Sequence, residues 1–66
     1  LSVGYIKSLR VYFDGIEMTL FVESEEQKDV AISELESVYR VECILDGEVE
    51  GENEKMYQKY NVFLYF

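Results

Sequence analysis

The chain has no histidine, no tryptophan, no proline, a single cysteine, and only six lysines and arginines among its 66 residues. Each shortage removes a class of chemistry. Without histidine the usual general base is missing, and so are Ser-His and Cys-His nucleophile pairs within one chain. Cys43 has no second cysteine to bridge to, and there is no histidine with which to build a zinc site. Gly4, Gly15, Gly47 and Gly51 are scattered, whereas a P-loop or a dinucleotide fingerprint needs them clustered. No apolar run approaches the roughly 20 residues of a membrane span, and the N-terminus shows no signal-peptide pattern. The expectation is a cytoplasmic, non-catalytic chain with no cofactor, no metal and no membrane partner.

Acid is what the chain has in excess. Fourteen Asp and Glu against six Lys and Arg give a net charge of −8. Phosphate contacts need cations, so direct nucleic-acid binding is excluded. The same charge favours solubility and attraction to basic partners. Composition is nevertheless globular, at 48% apolar and 15% aromatic residues, and residues 1–66 read as one small acidic α+β domain. A domain this short buries only about 60% of its unfolded surface. With no disulfide or metal to supplement the core, oligomerisation or partner binding is the supplement that remains.

Two apolar runs alternating with period two flank Asp14-Gly15, which predicts a hairpin over Tyr5 to Val22 closed by a type I′ turn. A two-residue turn there pairs Phe13 with Ile16, Val11 with Met18, Leu9 with Leu20 and Lys7 with Val22. Helix follows. Ser24 and Gln27 have capping-box spacing, and Glu25 and Glu26 suit the positive end of the helix dipole. Ala31, Leu35, Val38 and Tyr39, flanked by Ile32, recur at helical spacing, which predicts a helix ending near Tyr39 or Arg40.

From Val41 the period returns to two. Pairing this segment with Met56 to Phe66 sets Val41 against Leu64, Cys43 against Val62, Leu45 against Tyr60 and Val49 against Met56. The same register sets Asp46 against Lys59 and Glu50 against Lys55, so charge and apolar pairing agree. Gly51-Glu52-Asn53-Glu54 closes this second hairpin, and Gly47 is a candidate bulge. The architecture expected is β-β-α-β-β: a four-stranded antiparallel sheet with one helix packed on one face. Strand order is not legible from the pattern.

One helix covers one sheet face, and the registers leave Ile6, Tyr12, Phe21, Ile44, Tyr57, Phe63 and Tyr65 on the other. That is a large aromatic surface for so small a domain, and Tyr and Phe anchor interfaces. A second feature is the acidic run Asp46, Glu48, Glu50, Glu52 and Glu54, joined by Glu25, Glu26, Asp29 and Glu36 on the helix. Alternate strand residues lie about 6.6–6.8 Å apart on one face, so such rows can imitate the phosphates of a nucleic-acid strand. Asp46-x-Glu48-x-Glu50-Gly51 also has calcium-loop spacing, but position 12 is Tyr57 and the flanks read as strands. Cys43 falls on the predicted core face as an inert thiol.

These features converge on a protein-binding module that uses its acids to find a basic protein and its aromatic face to hold it. Small, acidic and without catalytic apparatus, the chain resembles in type, though in no motif, the accessory proteins with which phages and mobile elements block host enzymes. That likeness implies an inhibitor occluding a basic, nucleic-acid-binding surface. The alternative is a homodimer or larger structural oligomer whose aromatic face is the subunit interface.

Overall fold

The computed structural model describes residues 4–66. It contains strands β1 (Tyr5–Tyr12) and β2 (Gly15–Val22), helix α1 (Glu25–Glu36), then strands β3 (Arg40–Glu50) and β4 (Met56–Tyr65). The four strands form one antiparallel sheet in the order β1-β2-β4-β3, with α1 on one face, as the β-β-α-β-β pattern requires. Among the described residues no helix is long and apolar enough to cross a membrane.

The first hairpin forms, but its pairing is displaced by two residues from the expected register. Its turn is Phe13-Asp14, and Tyr12 pairs with Gly15, Val11 with Ile16 and Leu9 with Met18. Gly15 does not take a left-handed turn conformation; it lies within β2. Its lack of a side chain serves packing, because a Cβ there would overlap the Leu64 carbonyl oxygen and the Phe63 ring of β4. Phe66 N–H donates to the Asp14 carbonyl at 3.1 Å, tying the turn to the end of β4. Phe13 is left at the tip, 97% exposed. Further along, β1 bulges between Ile6 and Ser8, so Ile6 sits opposite Leu20 and Tyr5 opposite Phe21.

Ser24 caps α1, its hydroxyl accepting the Gln27 N–H at 3.2 Å. The Gln27 side-chain oxygen accepts from Glu23 N–H at 2.9 Å, one residue earlier than in a standard capping box. The helix ends at Glu36, short of the expected Tyr39–Arg40. Ser37 donates its hydroxyl to the Glu34 carbonyl, and the N–H groups of Val38 and Tyr39 both reach the Leu35 carbonyl. Arg40 is thereby freed to begin β3, and Val38 is exposed rather than packed.

The β3–β4 register is the expected one through Leu45 opposite Tyr60, and Lys59 reaches Asp46 at 3.1 Å. A bulge then intervenes between Leu45 and Glu48, with Gly47 at φ +86°, as its candidacy anticipated. Beyond it the pairing slips by one, so Val49 meets Tyr57 and Glu50 meets Met56. Lys55 pairs with Glu23 at 2.7 Å instead of Glu50. A 3₁₀ turn at Glu52–Glu54 closes the hairpin, with Gly51 N–H donating to the Lys55 carbonyl at 2.8 Å.

The core lies between α1 and the sheet: Met18, Leu20 and Val22 of β2, Tyr60, Val62 and Leu64 of β4, and Ala31 of the helix. Each fully buried aliphatic side chain contributes about 1.5–3 kcal/mol. Helix α1 packs against β2 and β3 across β4, and does not cover β1. Leu9 and Val11 share the face of Met18 and Ile16 yet stay 51% and 66% exposed.

Candidate functional site

The sheet face away from α1 is not one continuous aromatic patch. A polar seam crosses its middle, where Ser8 donates its hydroxyl to Thr19 at 3.1 Å and Thr19 pairs with Asn61. Two aromatic clusters lie on either side.

The first cluster is Tyr5, Phe21 and Tyr57, with ring centroids 5.2–6.0 Å apart. Phe21 and Tyr57 are buried although no layer packs over them, because Tyr5 and Gly51 close on them. The Tyr5 hydroxyl accepts the Glu52 N–H at 3.3 Å, pinning the 3₁₀ turn over the rings. Phe21 and Tyr57 therefore belong to a second small core rather than to an open binding face. Ile6, expected with them, is turned by the bulge at Lys7 to the helix side. Tyr5, not singled out from the sequence, takes its place.

The second cluster remains open. Tyr12 stacks on Phe63 at 6.2 Å, and Phe63 lies 4.7 Å from Tyr65. The Arg40 guanidinium sits over the Tyr65 ring at 4.3 Å. Tyr65 donates its hydroxyl to Glu42 at 3.0 Å, a bond that pushes its phenol pKa up, with burial adding to the effect. Phe63 pairs with Glu17 on one side and Glu42 on the other. Between them opens a groove of about 220 Å³ lined by Glu17, Glu42, Ile44, Asn61, Phe63 and Tyr65. Ile44 is 61% exposed at its rim. Two carboxylates beside an aromatic floor and an exposed aliphatic are chemically suited to a Lys or Arg side chain, whose charge meets the acids and whose stem lies on the rings.

The predicted acidic residues are not gathered into one row. Glu25 and Glu26 lie in the first turn of α1 and Glu36 at its end, while Asp29 is paired with Lys28 at 2.6 Å. Asp46, on the aromatic face, is held below the usual carboxylate range by its hydrogen bond and ion pair with Lys59. The bulge turns Glu48 and Glu50 to the other side, where they pair with Gln58 and Met56. Glu52 and Glu54 stand in the exposed 3₁₀ turn. The run is thus divided between two faces and a loop, and the calcium-loop spacing is broken with it. Among the described residues no group of three or more His, Cys, Asp or Glu side chains is placed to hold a metal ion. Cys43 is half-buried, and burial pushes its thiol pKa up, away from nucleophilic character.

Glu17 and Glu42 were outside the acidic set picked from the sequence, since each is an isolated acid in a strand. Their signal is register: both stand opposite Phe63. Compared with protein-family models, curated proteins and solved structures, the chain matches none.

Proposed function

We propose that this chain is a non-catalytic protein-binding module that docks on a basic protein surface through the open end of its sheet. The observation that carries the reading is the groove over Phe63, flanked by Glu17 and Glu42 and rimmed by Ile44. A Lys or Arg side chain of the partner enters it, while Tyr12 and Tyr65 supply flanking contact area. The net charge of −8 steers encounter, and Glu48, Glu50 and Glu52 contribute to the field without sharing the contact. A partner held this way loses access to its own basic surface, so a nucleic-acid-binding protein would be inhibited by occlusion.

The reading is tested by NMR titration with a peptide of alternating lysine and glycine. Shifts should concentrate on Glu17, Glu42, Ile44, Phe63 and Tyr65, and Glu17→Lys should abolish them. Shifts spread evenly over all the acids would reduce the interaction to unspecific charge attraction and overturn the site.

A further inference from the structure

The two edges of the sheet are complementary to each other. Strand β1 carries Lys7 and Arg10 and no acid, and neither cation has an ion-pair partner among the described residues. The other edge, β3, carries Glu42, Asp46, Glu48 and Glu50 against the single cation Arg40. Apolar surface follows the same division. On the helix side β1 exposes Ile6, Leu9 and Val11, and β3 offers exposed Leu45 with half-buried Val41 and Cys43.

Chain direction and height match as well. Every neighbouring pair in the order β1-β2-β4-β3 is antiparallel, so β1 and β3 run in opposite directions. A second copy shifted along the sheet therefore brings its β3 antiparallel to β1, with both helices on one side. The registers across the sheet put Tyr12, Gly15, Tyr65 and Arg40 at one height, and Arg10, Glu17, Phe63 and Glu42 at the next. Continued into the next copy without offset, Arg10 faces Glu42 and Tyr12 faces Arg40 on one side of the sheet. On the helix side Val11 faces Val41, Leu9 faces Cys43 and Ile6 faces Leu45. The bulge at Lys7 falls close to the height of the bulge at Asp46–Gly47, so both edges bend together.

We propose that copies of this chain associate head to tail, β1 of one pairing with β3 of the next into a continuous antiparallel sheet. The neighbouring helix lies toward its own β3, and so comes over the apolar row that β1 leaves bare. A two-fold β1-to-β1 contact would instead bring two basic edges together, and pairing through the open face would bury Glu17 and Glu42 against each other. The contact is heterologous, and it extends or closes into a ring according to the rotation per copy. The contact engages Glu42, so in an associated copy only Glu17 of the two carboxylates beside Phe63 is left to meet a partner's cation.

A bulge and a lysine are also the devices by which natural sheets discourage edge pairing, so the experiment must be able to return a monomer. Edge contacts are small, and a light-scattering or sedimentation series has to reach about 1 mM. Wild-type mass should rise with concentration. Arg10→Glu sets acid against Glu42 of the next copy, and Glu42→Arg sets cation against Arg10; each alone should weaken association by about tenfold or more. Mixed in equal amounts, the two variants present complementary edges and should associate again. Circular dichroism confirms that both exposed substitutions keep the fold. A wild type that stays monomeric throughout overturns the proposal, and so does association that Glu42→Arg leaves unchanged or that mixing does not restore.

Discussion

Tyr65 donates its hydroxyl to Glu42 at 3.0 Å, so the carboxylate that flanks Phe63 is held in place by the ring that forms the groove wall. The bond exists only while the phenol is protonated, and it raises the Tyr65 pKa, with burial as the lesser cause. A folded-state pKa above the unfolded value means stability that is present below about pH 10, the ordinary phenol range, and is lost as pH rises through the folded value. Spectrophotometric or NMR titration should find Tyr65 among the last tyrosines to ionise. Glu42→Gln should bring it down; if it does not, the hydrogen bond is absent in solution.

Core membership divides the apolar residues of the first hairpin sharply. Leu20 is fully buried between α1 and the sheet, whereas Leu9, one strand away on the same face, is half open to water. Leu20→Ala should cost about 2–5 kcal/mol, which in a domain of this size approaches the whole stability. Leu9→Ala, measured in dilute solution, should stay within about 0.5 kcal/mol. Denaturant titration of the two variants side by side checks the contrast, and equal losses would mean that the helix covers β1 after all.

That contrast also marks how far the sequence could be read. Alternation identified the strands, capping residues placed the helix start, and apolar pairing set the β3–β4 register through Leu45, with Asp46 against Lys59 the one of the two expected charge pairs that forms. The pattern puts Leu9 and Val11 on the helix-facing side of the hairpin but could not tell that a 12-residue helix would lean to one side of the sheet and leave them open. Strand order was the larger gap. Glu42 opposite Phe63 follows from the second hairpin alone, but Glu17 joins them only because β2 lies beside β4. The groove is a product of that adjacency. The bulge at Lys7, which exchanges Ile6 for Tyr5 on the aromatic face, leaves no mark on a period-two pattern of apolar residues.

Two glycines serve different needs and should respond differently to alanine. At Gly15 the backbone conformation suits any residue, but a methyl group would meet the Leu64 carbonyl and the Phe63 ring. Overpacking of this kind costs about 1–3 kcal/mol, and Gly15→Ala should also displace Phe63 and disturb the groove. At Gly47 there is open space, with a left-handed φ of +86° as the sole obstacle. Gly47→Ala should cost about 1–2 kcal/mol and leave Phe63 resonances unmoved. A Gly15→Ala protein with wild-type stability would refute the close approach of β2 to β4.

The acid limb of stability should report on two ion pairs that link separate elements. Asp46 is held low by Lys59 across the β3–β4 pair, and Glu23 by Lys55, with Gln27 assisting through a hydrogen bond. A depressed folded-state pKa gives stability that is present above the unfolded carboxylate range and is lost as pH falls through the folded value. The window lies below about pH 4, the ordinary range of these acids. Both pairs are solvent-exposed, so each contribution is small and screened by salt. Titration of the side-chain carboxyl carbons should show Asp46 and Glu23 protonating after the other acids. Lys59→Met should raise Asp46 toward its ordinary range, with the Asn61 hydrogen bond still holding it down in part, and leave Glu23 unchanged. If Asp46 shifts no further than its neighbours in the wild type, the bulge at Gly47 does not present it to Lys59, and the β3–β4 register beyond Leu45 must be redrawn.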